Sequence, residues 1–364
     1  MMTRYFGGAV VLLAFVSLVA AKDEVTVRSQ EKPIVGKIGG ESIKGVQLDG
    51  KGLIPADDII DVFYDLPSDI KFTVYNGART AEKDSADPAK DAKRKDNLES
   101  AIKKYQEVYA KAPDKGAKRH MKYKVAVLKV RLAQEAGGST DEALAALKEF
   151  KDTYPASWQI LPVLQTMAQL YAGGGKFKEA ADLYDEMSGF DLSPDAQLDA
   201  QIQAASLSIR AKAPEAALKK LEALAPKLAK GSKQAQRLQI AIAECHAAQG
   251  KSDDAIGMLR GIVNATTDKS IKAAGYNALG ESLMKKEMYK EARWEFLWVD
   301  VVYNQDRTEH ARALYNLATT FDALGERDRA LQCREMLASD REFSGLEYQK
   351  LAQRELGGEK KKTK

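Results

Sequence analysis

The apolar positions of this chain change rhythm twice. From Ala9 to Ala21 they form a nearly unbroken run, from Lys22 to Tyr75 they fall in short β-branched groups broken by Gly, Asp and Pro, and from Asn97 onward they recur three and four residues apart. The middle rhythm predicts strands at Val25–Arg28, Ile34–Ile38, Val46–Leu48, Ile59–Tyr64 and Lys71–Tyr75, each bounded by turn-forming residues. The last predicts amphipathic helices, because residues three and four apart share one face of a helix. Between them, residues 76–96 hold almost no large apolar side chain and read as a charged, solvated linker, with a helix as an option towards its end and Pro88 as a break or a first-turn residue.

One register runs through the helical region. Ala101, Ala143, Ala180, Ala217, Ala255, Ala292 and Ala330 are spaced by 42, 37, 37, 38, 37 and 38 residues. Four residues later stand Tyr105, Leu147, Tyr184, Leu221, Leu259, Phe296 and Arg334, apolar or aromatic except at the last. Seven residues later stand Val108, Phe150, Met187, Leu224, Ile262, Val299 and Leu337. Twelve residues before the alanines come Arg131, Ala168, Ala205, Ala243, Gly280 and Ala318, small in all but the first. Between the two groups sit Gly138, Gly175, Gly250 and Gly325, suited to the left-handed turn that ends a helix. Such columns describe antiparallel helix pairs that approach where one side chain is small and interlock above and below. A single pair leaves a face bare, and stacking covers it.

The most complete unit is 273–306. Tyr276, Leu279, Gly280, Leu283, Tyr289, Ala292 and Phe296 occupy the large, large, small, large, aromatic, small and aromatic positions of a tetratricopeptide repeat, and the usual closing proline is Asn304. The unit resembles that family, and the resemblance implies a mainly α fold: a right-handed α-solenoid of antiparallel helix pairs over 97–356. The stack would open with a half-repeat cap at 97–112, continue through six repeats and close with a cap helix near Leu346–Ala352. The 37–38 residue pitch exceeds the family's usual length of about 34 by roughly one helical turn, so longer second helices are expected, with looser connections as the alternative. Residues 22–75 form a small β domain in this reading, and Pro33–Asp65 resembles a small Sm-like barrel. It lacks a basic patch with interleaved aromatics, so RNA binding is not carried over. Residues 357–364 read as a basic, disordered tail.

Arg4, the apolar run and Val19-Ala20-Ala21 before Lys22 have the layout of a secretory signal peptide cleaved after Ala21. Export to a periplasmic or extracellular compartment follows. The alternative is an uncleaved anchor, since Tyr5–Ala21 is 17 uncharged residues, near the lower limit for a bilayer span; membrane contact is expected only in that case. With 56 basic and 52 acidic residues, the net charge of +4 does not point to nucleic acid. Cys245 and Cys333 fall in different repeats and read as core thiols. No catalytic, cofactor-binding or metal-ligating constellation is found: His120, His246 and His310 stand apart, and Cys245-His246 are adjacent and diverge on a helix. Gly173-Gly174-Gly175-Lys176 lacks the Ser or Thr and the preceding strand of a phosphate loop and reads as a turn within a repeat.

In tetratricopeptide arrays the first helices line a concave groove. Carried over position by position, the resemblance implies Gln165, Gln169, Glu244, Asn277, Glu281, Arg312, Tyr315 and Thr319 as partner-binding candidates. The Lys and Asn set with which some members clamp a C-terminal carboxylate is not reproduced. Glu244 and Glu281 add negative charge, so a basic or neutral protein or peptide partner is expected. Glu281 and Asn277 should face the groove, with Glu281 replaceable at little cost in stability. Two functions stand at this point: an exported, non-enzymatic interaction scaffold of envelope assembly or secretion, or a ligand-binding β module carried on a solenoid that serves as spacer or oligomerisation stalk.

Overall fold

The computed structural model describes residues 22–362, so the signal-peptide and anchor expectations lie outside the described residues. The chain begins with six strands: β1 (Asp23–Val27), β2 (Ile34–Gly36), β3 (Ile38–Ser42), β4 (Gly45–Leu48), β5 (Gly52–Pro55) and β6 (Ile59–Phe63). They form two antiparallel three-stranded sheets, ordered β2-β1-β6 and β3-β4-β5, not the single closed barrel that the Sm-like resemblance implied. Four of the five expected strands coincide with these. The fifth does not: Lys71–Tyr75 is a π-helical segment continuous with α1 (Ser68–Ile70) and α2 (Asn76–Ala86). Its β-branched and aromatic residues favour a strand, but Val74 and Tyr75 are buried as a helical pair, with Tyr75 stacked on Phe63 at 5.1 Å. Tertiary packing overrides local preference here.

The expected linker at 76–96 is also corrected, apart from the helix allowed towards its end. α2 is a packed helix with Ala78, Ala81 and Ser85 buried against α3 (Arg94–Lys111). It needs no large apolar residues because small ones let the two helices come close. The first unit is therefore a whole helix pair, not a half-repeat. Arg131, the exception in the small-residue column, reaches this pair, donating to Ser85 Oγ at 3.1 Å and to the Ser85 carbonyl at 3.3 Å. Nor is 22–75 a separate domain. Val25, Val46, Ile54 and Val62 of the sheets share one core with Leu98, Tyr105, Met121 and Leu128 of the helices.

Six further pairs follow: α4 (Lys115–Glu135) with α5 (Thr140–Thr153), α6 (Ile160–Gly173) with α7 (Phe177–Ser188), α8 (Pro194–Arg210) with α9 (Pro214–Glu222), α10 (Lys233–Ala248) with α11 (Ser252–Ala265), α12 (Lys269–Met284) with α13 (Tyr289–Val301), and α14 (Arg307–Ala323) with α15 (Arg327–Ser339). A single helix, α16 (Glu347–Lys362), ends the described chain. It continues through Gly357, so the stretch expected to be a disordered tail is helical as far as Lys362.

The register is visible in the packing. All seven column alanines are at most 1% exposed. At Gly280 a Cβ would stand 2.5 Å from the Phe296 ring, which is why this crossing takes glycine. The turn position five residues before each alanine has positive φ at Gly175, Lys212, Gly250, Glu287 and Gly325, whereas in the first of the six pairs Gly137 takes it instead of Gly138. The extra turn of the long repeat is not in the second helices, which span 9–14 residues from α5 to α15. It lies at the start of the first helices: α8, α12 and α14 begin at Pro194, Lys269 and Arg307, four residues before the repeat's first position at Leu198, Ala273 and Ala311. Ser193, Asp268 and Asp306 fix those starts by accepting backbone N–H bonds.

Candidate functional site: the concave groove

The first helices α6, α8, α10, α12 and α14 line the inner side of a curl tight enough that Thr308, at the start of α14, and Glu347 and Tyr348, at the start of α16, face α8. Two cavities result, sharing Gln203, Leu207, Thr308, Glu347 and Tyr348 as their common wall. One, of about 480 Å³, is mainly apolar, with Leu161, Ala168, Tyr184 and Met187 in its lining. The other, of about 310 Å³, is ringed by charge.

Arg312 is the centre of the charged cavity. Its Nε donates to Glu281 Oε1 at 2.7 Å, while Nη2 donates to Glu281 Oε2 at 2.7 Å and to Glu244 Oε1 at 2.6 Å. Glu309 lies 3.6 Å away, and Asn316 adds a 2.8 Å bond to Glu281. These contacts set the ionisation. Burial pushes the Glu281 carboxyl up, but Arg312 and Asn316 outweigh it and hold the group below the ordinary glutamate value. Burial dominates at Glu309 and raises it, only partly offset by Arg312 and the Asn277 amide. Burial also lowers Lys285, on the same cavity, although Glu281 and Glu244 oppose the shift. The two carboxylates expected to make the groove negative are thus largely balanced by Arg312 and Lys285.

The eight candidates separate into five groups. Gln165 and Gln169 line the apolar cavity, and Glu244, Glu281 and Arg312 meet in the charged one. Asn277 is corrected: it is fully buried beneath the surface, donating to the Glu309 carbonyl at 2.9 Å and to Glu309 Oε2 at 2.7 Å. It shares the helix face that meets α14, so the groove does not see it. Tyr315 is covered by α16, donating to Glu355 at 2.8 Å with its ring 5.6 Å from Tyr348, and Thr319 is exposed but belongs to neither cavity. Glu281 faces the cavity with a third of its side chain exposed, yet its three bonds contradict the expectation that it is freely replaceable.

Arg210, Lys285, Glu347 and Tyr348 are groove residues that sequence reasoning missed. Arg210 and Lys285 both stand five residues after the small column position, at Ala205 and Gly280, so the register extended by one turn finds them. Nothing local marks Glu347 and Tyr348, whose place depends on the curvature of the whole stack.

Other expectations are also placed by the structure. Cys245 and Cys333 are unpaired, and burial pushes their thiols up to about 12 and about 11. Gly173–Lys176 is the turn joining α6 and α7, with Gly175 at φ +78°. Arg334, the polar member of an apolar column, is buried between Asp322 and Glu355, the latter at 2.7 Å. No group of three or more His, Cys, Asp or Glu among the described residues could hold a metal ion. No described helix is long and apolar enough to cross a membrane.

Paired helices in one register, a small residue at each crossing and first helices facing inward decide the architecture. The chain folds as a tetratricopeptide-like α-solenoid. Among solved structures, it is similar to a tetratricopeptide repeat protein from Parabacteroides merdae, at 15% identity over 76% of this chain and 99% of that one, with a TM-score of 0.48. It is also similar to NprR in complex with its cognate peptide NprX, at 15% identity over 79% and 84% of the two chains and a TM-score of 0.43. A putative kinesin light chain with nearly identical TPR-like repeats, from Podosopora anserina, matches at 19% identity over 49% and 92%, with a TM-score of 0.32. No family model matches the chain, and no curated protein matches it in sequence.

Proposed function

We propose that this solenoid is a non-enzymatic scaffold that holds a protein or peptide along its concave face. The observation that carries the reading is the pair of cavities built from the inward faces of five successive first helices. Apolar lining beside a few convergent polar groups is the usual make-up of a recognition site, and a concave solenoid face is the surface such proteins use for binding. The signal-like segment at Arg4–Ala21 supports export, with a role in envelope assembly or secretion. The alternative, a β module that binds while the solenoid acts as a spacer, is disfavoured by the core that the sheets share with α2–α4.

A photoreactive side chain at Gln169 in the full-length protein, compared with one at Met336 on the exposed side of α15, tests the assignment. Capture at Gln169 that disappears when Gln165→Trp narrows the cavity is expected. Capture from Met336 alone would move the binding surface to the outer face.

A further inference from the structure

We propose that the groove is occupied in cis by the start of α16, and that the partner taking its place presents the same chemistry: a carboxylate followed by an aromatic side chain. The inference rests on the scaffold reading and adds the partner's chemical class.

Three contacts carry it. Both Nη atoms of Arg210 donate to the two carboxylate oxygens of Glu347, across 137 residues of chain, and the guanidinium lies 4.1 Å over the Phe177 ring. A planar fork already stacked on an aromatic face is preorganised for a carboxylate. Next to it, Tyr348 forms part of the wall between the two cavities and packs near Tyr315. Farther along α16, Arg354 donates to the Gly173 carbonyl at 3.0 Å, across 181 residues. That carbonyl is at the C-terminal end of α6, where unsatisfied acceptors attract a cation.

The rest of α16 is held differently. Ala352 is fully buried, Glu355 binds Tyr315 and Arg334, and Gln349 donates to the Asp340 carbonyl at 2.9 Å. Capping of the last pair therefore belongs mainly to the face of α16 turned towards α14 and α15. Contacts to α6 and α8 belong to Glu347 and Arg354, which cross the groove. Because Glu347 and Tyr348 wall both cavities, their departure removes two of the five residues that the cavities share and widens both. A segment that enters finds Arg210 free for its acid and the Tyr348 position free for its aromatic ring. Cis occupancy lowers the apparent affinity of a competing ligand by the fraction of molecules in which the groove is open.

The test uses the full-length protein and a fluorescein-labelled synthetic peptide of residues 344–354, with anisotropy for binding and hydrogen exchange at 346–350 for release. Glu347→Lys, and independently Glu347→Gln, should speed exchange there and bind the peptide at least about tenfold more tightly than the wild type. Adding Arg210→Glu should abolish that gain, and a peptide with Gln in place of Glu347 should bind weakly to every form. Unchanged exchange in both variants would overturn the proposal, as would equal peptide affinity for wild-type and released chains or binding that ignores Arg210. If Gln169 capture persists in any of those cases, the scaffold reading stands and only cis occupancy falls.

Discussion

Two clusters of largely buried charge lie at opposite ends of this solenoid, and they differ in what encloses them. At the N-terminal end, Glu41 from β3 accepts from Tyr64 Oη at 2.7 Å and Trp158 Nε1 at 2.9 Å and pairs with Arg119. Close by, Asp61 of β6 binds His120 at 3.2 Å and Lys124 at 2.9 Å, and Lys124 continues to Glu82 at 3.0 Å. Aromatic rings enclose Glu41 and Arg119, whereas Asp61, Glu82 and Lys124 line an open cavity of about 530 Å³; the bonds join sheet residues to α4 and to Trp158 ahead of α6. At the C-terminal end, Arg312 and its glutamates use the same chemistry on the wall of a cavity. Buried charge alone therefore does not mark a functional site: the enclosed Glu41–Arg119 pair fastens the sheets to the helices, and the second cluster shapes a groove.

The largest expected difference is in stability. Glu41→Ala leaves Arg119 buried without its partner and should cost about 3–5 kcal/mol, read as a lower denaturant midpoint. A loss below about 1 kcal/mol would class the pair with ordinary surface bridges. Glu281→Lys places a cation against Arg312, but water in the cavity relieves part of the repulsion, so about 2 kcal/mol is expected. A loss as large as that at Glu41 would erase the distinction between a sealed and an open cluster.

Acid should separate the two clusters in sign. Burial raises the Asp61 carboxyl, but His120 and Lys124 outweigh it and the group is held well below the usual aspartate range. Its stabilisation is complete above an unfolded value of about 3.9 and is lost as the pH falls below that. Asp61→Asn should therefore lower Tm at pH 7, with the gap to wild type narrowing under acid. Glu309 is raised by burial, so its ionisation costs stability as the pH climbs through and above about 4.3. Glu309→Gln should raise Tm at pH 7 and change little at pH 3; the same sign for both variants at pH 7 would refute the contrast.

The smallest effect concerns the turns. Lys212 and Glu287 adopt φ of +62° and +60° where sister repeats have glycine. Glu287→Gly should gain up to about 1 kcal/mol, the left-handed penalty less the added chain entropy. Destabilisation on chemical denaturation would mean that the side chain has a compensating contact.

The repeating helices were legible because their information is local and redundant. Ala255, Ala292 and Ala330 announce the same crossing three times, and a lost feature such as the proline replaced by Asn304 does not hide it. α2 was illegible because Ala78, Ala81 and Ser85 pack through smallness, which a search for large apolar residues passes over. The start of the first helices could have been read from Ser193, Asp268 and Asp306, whose capping role depends on a side chain at one position and not on periodicity. The groove was only half legible. Gln165, Gln169, Glu244, Glu281 and Arg312 follow from repeat position, whereas Arg210 meets Glu347 through a curvature that accumulates over four repeats.

The bonds from Arg210 to Glu347 and from Arg354 to Gly173 also bear on how the molecule unfolds. An open solenoid touches only its neighbours, so its end repeats can fray one at a time. Joining α6 and α8 to α16 makes the last helix a keystone: melting at the C-terminal end must break contacts made near the middle of the chain. Loss of Glu347 should therefore change the shape of the unfolding curve, from one cooperative step towards two, with the final repeats melting first.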